Sequence, residues 1–185
     1  MTLRNKYIEY NDEEVTLEGY LVWDDKVSHP RPGVLINHAW AGRSSFECDR
    51  ADKIAELGYV AFAIDLYGKG VIGKSKSENS QLMQPFIKDR SFLKRRLLLA
   101  LNVLKNQNHV NSDKIASVGY CFGGLASLDL ARYGLNLKGA VSLHGNLAPL
   151  NHTKSQKIDT KILILHGWKD PMICLLYTSP SPRDP

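Results

Sequence analysis

Apolar and polar positions along this chain alternate between two rhythms. Tyr7–Tyr10 and Thr16–Trp23 are rich in β-forming residues and flank the acidic turn Asn11-Asp12-Glu13-Glu14, which predicts an opening antiparallel pair. After the turn residues His29-Pro30-Arg31-Pro32-Gly33, the run Val34-Leu35-Ile36-Asn37-His38 is apolar until its polar end, as in a strand buried on both faces. Ser45 then precedes Phe46–Leu57, where Ala51, Ile54, Ala55 and Leu57 recur at helical spacing and Gly58 follows as a cap. Tyr59–Ile64 predicts a strand, Lys88–Asn106 a helix, Lys114–Gly119 a strand and Gly123–Tyr133 a helix. Leu137–Leu143 and Lys161–Leu165 predict two further strands. Strands alternating with helices imply an α/β fold: a mainly parallel sheet with helices on both faces. Ligands in such sheets bind beyond the carboxyl ends of the strands. The chemistry is therefore expected at 38–42, 65–68, 120–122, 144–145 and 166–170.

With 185 residues, 43% hydrophobic and 23% charged, the chain has the composition of one globular domain, which excludes disordered, collagenous and disulfide-scaffold classes. It is short for an α/β enzyme domain, which commonly runs to roughly 200–250 residues. The net charge of +5 raises the question of a nucleic-acid partner. Lys88, Arg90, Lys94, Arg95 and Arg96 do cluster, but Leu93, Leu97, Leu101 and Leu104 recur among them at helical spacing. This is the pattern of an amphipathic helix with a solvated basic face, so no nucleic-acid partner is expected. The N-terminus lacks a secretory apolar stretch, and the longest apolar run, Tyr59–Ile64, is too short to span a bilayer, so no membrane association is expected. Cys48, Cys121 and Cys174 show no paired spacing for zinc or a disulfide framework, which points to a reducing, cytoplasmic location with no metal or cofactor.

Gly119-Tyr120-Cys121-Phe122-Gly123 lies between a predicted strand and a predicted helix and has the form G-x-S-x-G with Cys in place of Ser. The sharp turn raises the nucleophile above the sheet edge, and the glycines let strand and helix approach. A helix N-terminus there favours a thiolate and offers N–H groups to an oxyanion. Cys48, in a predicted amphipathic helix with no partner motif, is expected to pack.

Gly119–Gly124, Gly58–Ala63, Asp65-Leu66-Tyr67-Gly68, His166-Gly167 and Asp170-Pro171 together resemble the dienelactone hydrolase family within the α/β-hydrolase fold, over Lys6 to Met172. The resemblance implies a Cys-Asp-His hydrolase acting on a small ester or lactone. Cys121 matches the nucleophile, Asp170 the triad acid, and the backbone N–H groups of Trp40 and Phe122 the oxyanion hole. Two positions depart from the family's dienelactone-cleaving members: Ala39 stands where they carry a Glu beside the oxyanion donor, and Lys69 stands nearest their carboxylate-holding Arg. A small, anionic or neutral ester or lactone is thus the expected partner, with Lys69 a candidate substrate-binding residue. A non-catalytic small-molecule binder on the same fold, suggested by Ala39, is an alternative.

Gly68–Ser75 also matches G-x-x-x-x-G-K-[ST], the outline of a phosphate-binding loop. The polar run Lys76–Ser80 and Pro85 after it argue against the helix that such a loop opens. None of the six histidines, His29, His38, His109, His144, His152 and His166, follows Asp170, whereas the fold places the triad histidine last. The segment from Cys174 holds three of the eight prolines and resembles the translation of a sequencing adapter. The expected organisation is thus a hydrolase domain at 1–173, lacking its last strand and helices, joined to a foreign tail at 174–185.

Overall fold

A computed structural model describes residues 1–150, 157–167 and 170 of the chain. The expected foreign tail at 174–185, with Cys174, lies outside the described residues, as do His152 and Pro171. Two antiparallel strands open the chain, β1 (Leu3–Asp12) and β2 (Val15–Asp24), joined by a turn in which Glu13 takes φ 55°. β3 (Arg31–Asn37), β4 (Val60–Ala63), β5 (Val110–Tyr120), β6 (Gly139–Leu143) and β7 (Lys161–Leu165) then run parallel. The described sheet has the order β1-β2-β4-β3-β5-β6-β7, with β2 antiparallel to β4. The helices are α1 (Ser45–Glu56), α2 (Lys76–Lys88), α3 (Arg90–Lys105) and α4 (Phe122–Arg132).

The two-residue period of a strand divides the core between the faces of the sheet. Leu17, Leu21, Leu35, Phe62 and Ile115 join Leu93, Leu97, Leu101 and Leu104 of α3 and Leu125 of α4 on one face. On the other, Val34, Ile36, Ala61 and Ala63 meet Ala51 and Ala55 of α1, where small side chains on both partners let the helix lie close. Each large side chain removed from water contributes about 1.5–3 kcal/mol. β7 differs: it pairs with β6 along its whole length, yet Ile162, Leu163, Ile164 and Leu165 remain 42–51% exposed, because among the described residues it is the edge strand.

Three expectations need correction. α1 begins at Ser45 rather than Phe46, because Ser44 caps it and forms a capping box with Glu47. The helix expected over Lys88–Asn106 is broken at Asp89, whose extended backbone ends α2 and whose carboxylate accepts the N–H groups of Ser91 and Phe92 to begin α3. A helix does open after Lys74-Ser75: Ser75 caps α2, and only Phe86 of that helix is buried, so there was no apolar stripe to reveal it.

The basic face of α3 is likewise not simply solvated. Arg96 is 4% exposed; its guanidinium holds the Asp12 carboxylate and the Leu66 carbonyl, the latter at 2.9 Å. Arg95 pairs with Asp12 and Glu13, and Arg90 grips the buried Asp129 with two bonds of 2.6 Å. These ions bind α3 to the first hairpin and to α4. No helix among the described residues is long and apolar enough to cross a membrane.

Candidate active site

Cys121 stands between β5 and α4 with φ 55° and ψ −114°, a left-handed backbone that a side-chain-bearing residue adopts only under constraint. Its N–H donates to Leu143 O of β6 at 2.8 Å, while its carbonyl accepts from Gly124 N at 2.9 Å. The flanking glycines are required by space. A Cβ on Gly119 would lie 1.8 Å from Gly123 O, and one on Gly123 would lie 2.2 Å from Asn37 O. Beneath the turn, the Asn37 amide donates to Ser117 Oγ and Ser127 Oγ, both at 2.8 Å, which locks the end of β3 to β5 and α4.

The loop after β3 carries the second expected oxyanion donor. The backbone N–H groups of Phe122 and Trp40 both lower the pKa of the Cys121 thiol, which sets both near its sulfur. Tyr67 O–H donates to Trp40 O at 3.0 Å, and Gly73 N donates to Ala41 O at 2.9 Å, bracing the loop from the segment after β4. Glu47, 2% exposed, accepts from Ser44 N–H and more weakly from Ala39 N–H. A buried carboxylate therefore does reach this loop, but from α1 rather than from position 39. The S-x-x-E pattern at Ser44–Glu47 was its sequence signal.

Burial pushes the Cys121 thiol above its ordinary pKa; the Phe122 N–H pulls it back, the Asp170 charge raises it, and the Trp40 N–H lowers it. The resting group at neutral pH is thus a thiol that must surrender its proton to react. Asp170 lies between two histidines, in contact with Nδ1 of His144 and 3.8 Å from Nε2 of His166. Among the described residues, these three bring metal-ligating atoms within 4.8 Å of one another, a spacing that a divalent cation could bridge.

His38 has a different role. It is fully buried, and its Nε2 accepts from Leu66 N–H, so Nδ1 carries the proton donated to Ala39 O. Burial lowers its pKa and keeps it neutral. Both ring nitrogens are used in tying the ends of β3 and β4 together. Asp65, in the Asp-Leu-Tyr-Gly motif, accepts from Tyr67, Gly68 and Glu18 N–H groups and so shapes its turn. Cys48 packs as expected, half-buried with its sulfur accepting from Arg43.

Lys69 is held by two carboxylates of the first hairpin. Its ammonium lies against Glu9 and 3.2 Å from Glu18, and these carboxylates raise its pKa. The phosphate-loop reading of Gly68–Ser75 fails on its N–H groups. Those of Lys69, Val71 and Gly73 donate to backbone carbonyls, and that of Lys74 donates to the Glu78 carboxylate. A cavity of about 650 Å³ opens at the opposite ends of β6 and β7, lined by Lys105, Asp113, Lys138 and Lys161, and contains none of the groups above.

A parallel sheet with an antiparallel edge, a cysteine on a strained strand-to-helix turn and two N–H groups on its sulfur define an α/β-hydrolase. The chain belongs to the dienelactone hydrolase family, whose model matches residues 17–175. It is 32% identical to the dienelactone hydrolase-like promiscuous phosphotriesterase P91 from metagenomic libraries, with a TM-score of 0.88 over 94% of this chain and 72% of that one. An Aquifex aeolicus protein described provisionally as a carboxymethylenebutenolidase is 26% identical over 171 residues, 90% of this chain and 72% of that protein. The uncharacterized Caenorhabditis elegans protein K02A2.1 is 40% identical over 80 residues, which span 42% of this chain and 51% of that protein.

Proposed function

We propose that this chain is the core of a cofactor-independent thiol hydrolase that cleaves a small carboxylic ester or lactone through Cys121. The observation that carries the reading is Cys121 held at φ 55° on the tight turn from β5 into α4, with the Phe122 and Trp40 N–H groups near its sulfur. A carbonyl attacked there places its developing oxyanion beside two fixed donors, an arrangement whose single-donor loss typically costs about 10²–10³ in rate. The thiol gives its proton to a base as the sulfur attacks the carbonyl carbon. The carbonyl π pair moves to oxygen and returns as the alcohol leaves with that proton. Water, deprotonated by the same base, then cleaves the thioester to acid and free thiol.

Asp170 orients the base and stabilises its cation. In the reading from family order, that base is a histidine that follows the triad acid along the chain. A thiol nucleophile suits a reducing cytoplasm. A second reading is favoured by the contact between His144 Nδ1 and Asp170, since the same pairing of Nδ1 with a carboxylate orients the base of a triad. In that reading His144 is the base.

The test is turnover of aryl esters, thioesters, lactones and, in view of P91's name, a phosphotriester. Hydrolysis abolished by Cys121→Ala supports the enzyme; hydrolysis indifferent to it refutes the role of Cys121. Retained turnover in His144→Gln rejects the second reading. Absence of turnover together with a Cys121 thiol inert to alkylation favours the non-catalytic binder.

A further inference from the structure

The residues around the loop after β3 specify more than a reaction type. Two cations border it, and both are already neutralised. Arg43 donates to the Glu18 carbonyl at 2.8 Å and to its carboxylate at 3.0 Å, while Lys69 holds the other oxygen of that carboxylate and Glu9. Two positive and two negative charges thus close on themselves, with Glu18 only 17% exposed in its side chain. A substrate carboxylate could recruit Lys69 only by displacing charged partners, at a cost comparable to what it would gain.

The same segment presents the opposite chemistry nearby. Gly70, at φ 76°, turns the chain so that Val71 and Ile72 stand 39% and 44% exposed. This apolar pair is pinned to the oxyanion loop. Gly73 N donates to Ala41 O at 2.9 Å, and a Cβ on Gly42 would meet Val71 O at 2.7 Å and Ile72 Cα at 3.6 Å. Gly42, at φ 102°, is two residues from the Trp40 N–H that acts on the Cys121 sulfur. Exposed apolar side chains fixed at this place offer a surface for part of a bound molecule, because burying it there removes apolar area from water on both sides.

From this geometry we infer that the site takes uncharged substrates, whose apolar group lies on Val71 and Ile72, and discriminates against those that carry a carboxylate. The inference deepens the hydrolase reading and rests on Cys121 being the reactive group. Specificity is set by two features: an apolar lip, and a lysine withheld from the substrate by Glu9 and Glu18.

The test uses Cys121 alkylation, which requires no turnover and so separates this inference from the fate of the hydrolase reading. N-hexylmaleimide and 6-maleimidohexanoate share reactive group and chain length and differ in the terminal carboxylate. Each rate is divided by that of the same reagent with 2-mercaptoethanol, and peptide mass spectrometry assigns the label to Cys121 rather than Cys48. The expected result is labelling by the hexyl reagent about tenfold faster, a preference worth about 1.4 kcal/mol. Ile72→Asn, which removes the apolar surface without adding a charge, should bring the two rates within about twofold of each other. Glu9→Gln/Glu18→Gln, which frees Lys69, should accelerate the hexanoate severalfold and leave the hexyl rate unchanged. Equal rates in the unaltered chain, a faster hexanoate, or a preference that survives Ile72→Asn overturns the inference. Loss of Cys121-dependent ester hydrolysis with the labelling preference intact would count against the hydrolase reading alone.

Discussion

Gly123→Ala adds one carbon at the point where the turn carrying Cys121 touches the end of β3. An ideal Cβ there lies 2.2 Å from Asn37 O, 2.6 Å from Asn37 C and 2.7 Å from His38 O, all backbone atoms. Ordinary contact begins at 3.4 Å, so the start of α4 and the end of β3 must separate by about 1 Å. Asn37 cannot follow α4 freely, because its amide also holds Ser117 of β5 at 2.8 Å. Overpacking of this kind costs about 1–3 kcal/mol of stability. In the proposed mechanism the functional cost is larger, since Phe122 opens α4 and Trp40 follows β3, so the same movement pulls the two proposed N–H donors apart. A displacement near 1 Å in a reacting constellation costs on the order of 10²-fold in rate. Ester hydrolysis should therefore fall mainly in kcat, with KM little changed, while thermal melting shows a folded protein of lower Tm. A variant with unaltered Tm and kcat would refute the close-approach argument. Lost activity with unchanged Tm and a kcat untouched relative to KM would refute its link to the oxyanion donors.

Two further substitutions test the electrostatics. Asp170→Asn removes a charge that raises the Cys121 thiol, so its pKa should fall and alkylation at neutral pH should speed up, even as ester hydrolysis declines. The gain in thiolate exceeds the loss in nucleophilicity, whose Brønsted slope is about 0.4–0.5; a slower alkylation or an upward shift of its pH profile would contradict the assigned sign. Asp12→Ala leaves Arg96 buried without its carboxylate and should cost about 3–5 kcal/mol in urea-monitored unfolding. A loss below about 1 kcal/mol would mean that Leu66 O and solvent satisfy the guanidinium alone.

Much of the framework was legible along the chain because strands and helices have different periods. Val34–Ile36 and Tyr59–Ile64 are short apolar runs between turn residues, and Leu93, Leu97, Leu101 and Leu104 repeat at helical spacing; all but the exposed Tyr59 became core. α2 escaped notice because its one buried residue, Phe86, leaves no stripe, and its formation rests on the Ser75 cap. Asp89 was hidden for a related reason: it interrupts a continuous helical pattern by a backbone bend that hydrophobic spacing does not record.

The sequence by itself determined the alternating strand and helix order and the glycine-flanked cysteine between a strand and a helix, since these depend on local pattern and on neighbours in the chain. Only the tertiary structure decided the partners of the charged groups. Lys69 reads as a free cation along the chain, yet a hairpin some fifty residues earlier supplies Glu9 and Glu18. Arg96 reads as a surface residue, yet Asp12 takes it into the core. Glu47 passes unremarked along the chain, yet it closes the capping box of α1 and also reaches Ala39 in the loop after β3. Hydrophobic order follows from local periodicity, whereas charge pairing depends on which segments the sheet brings together, and it is that pairing that sets the chemistry a substrate meets.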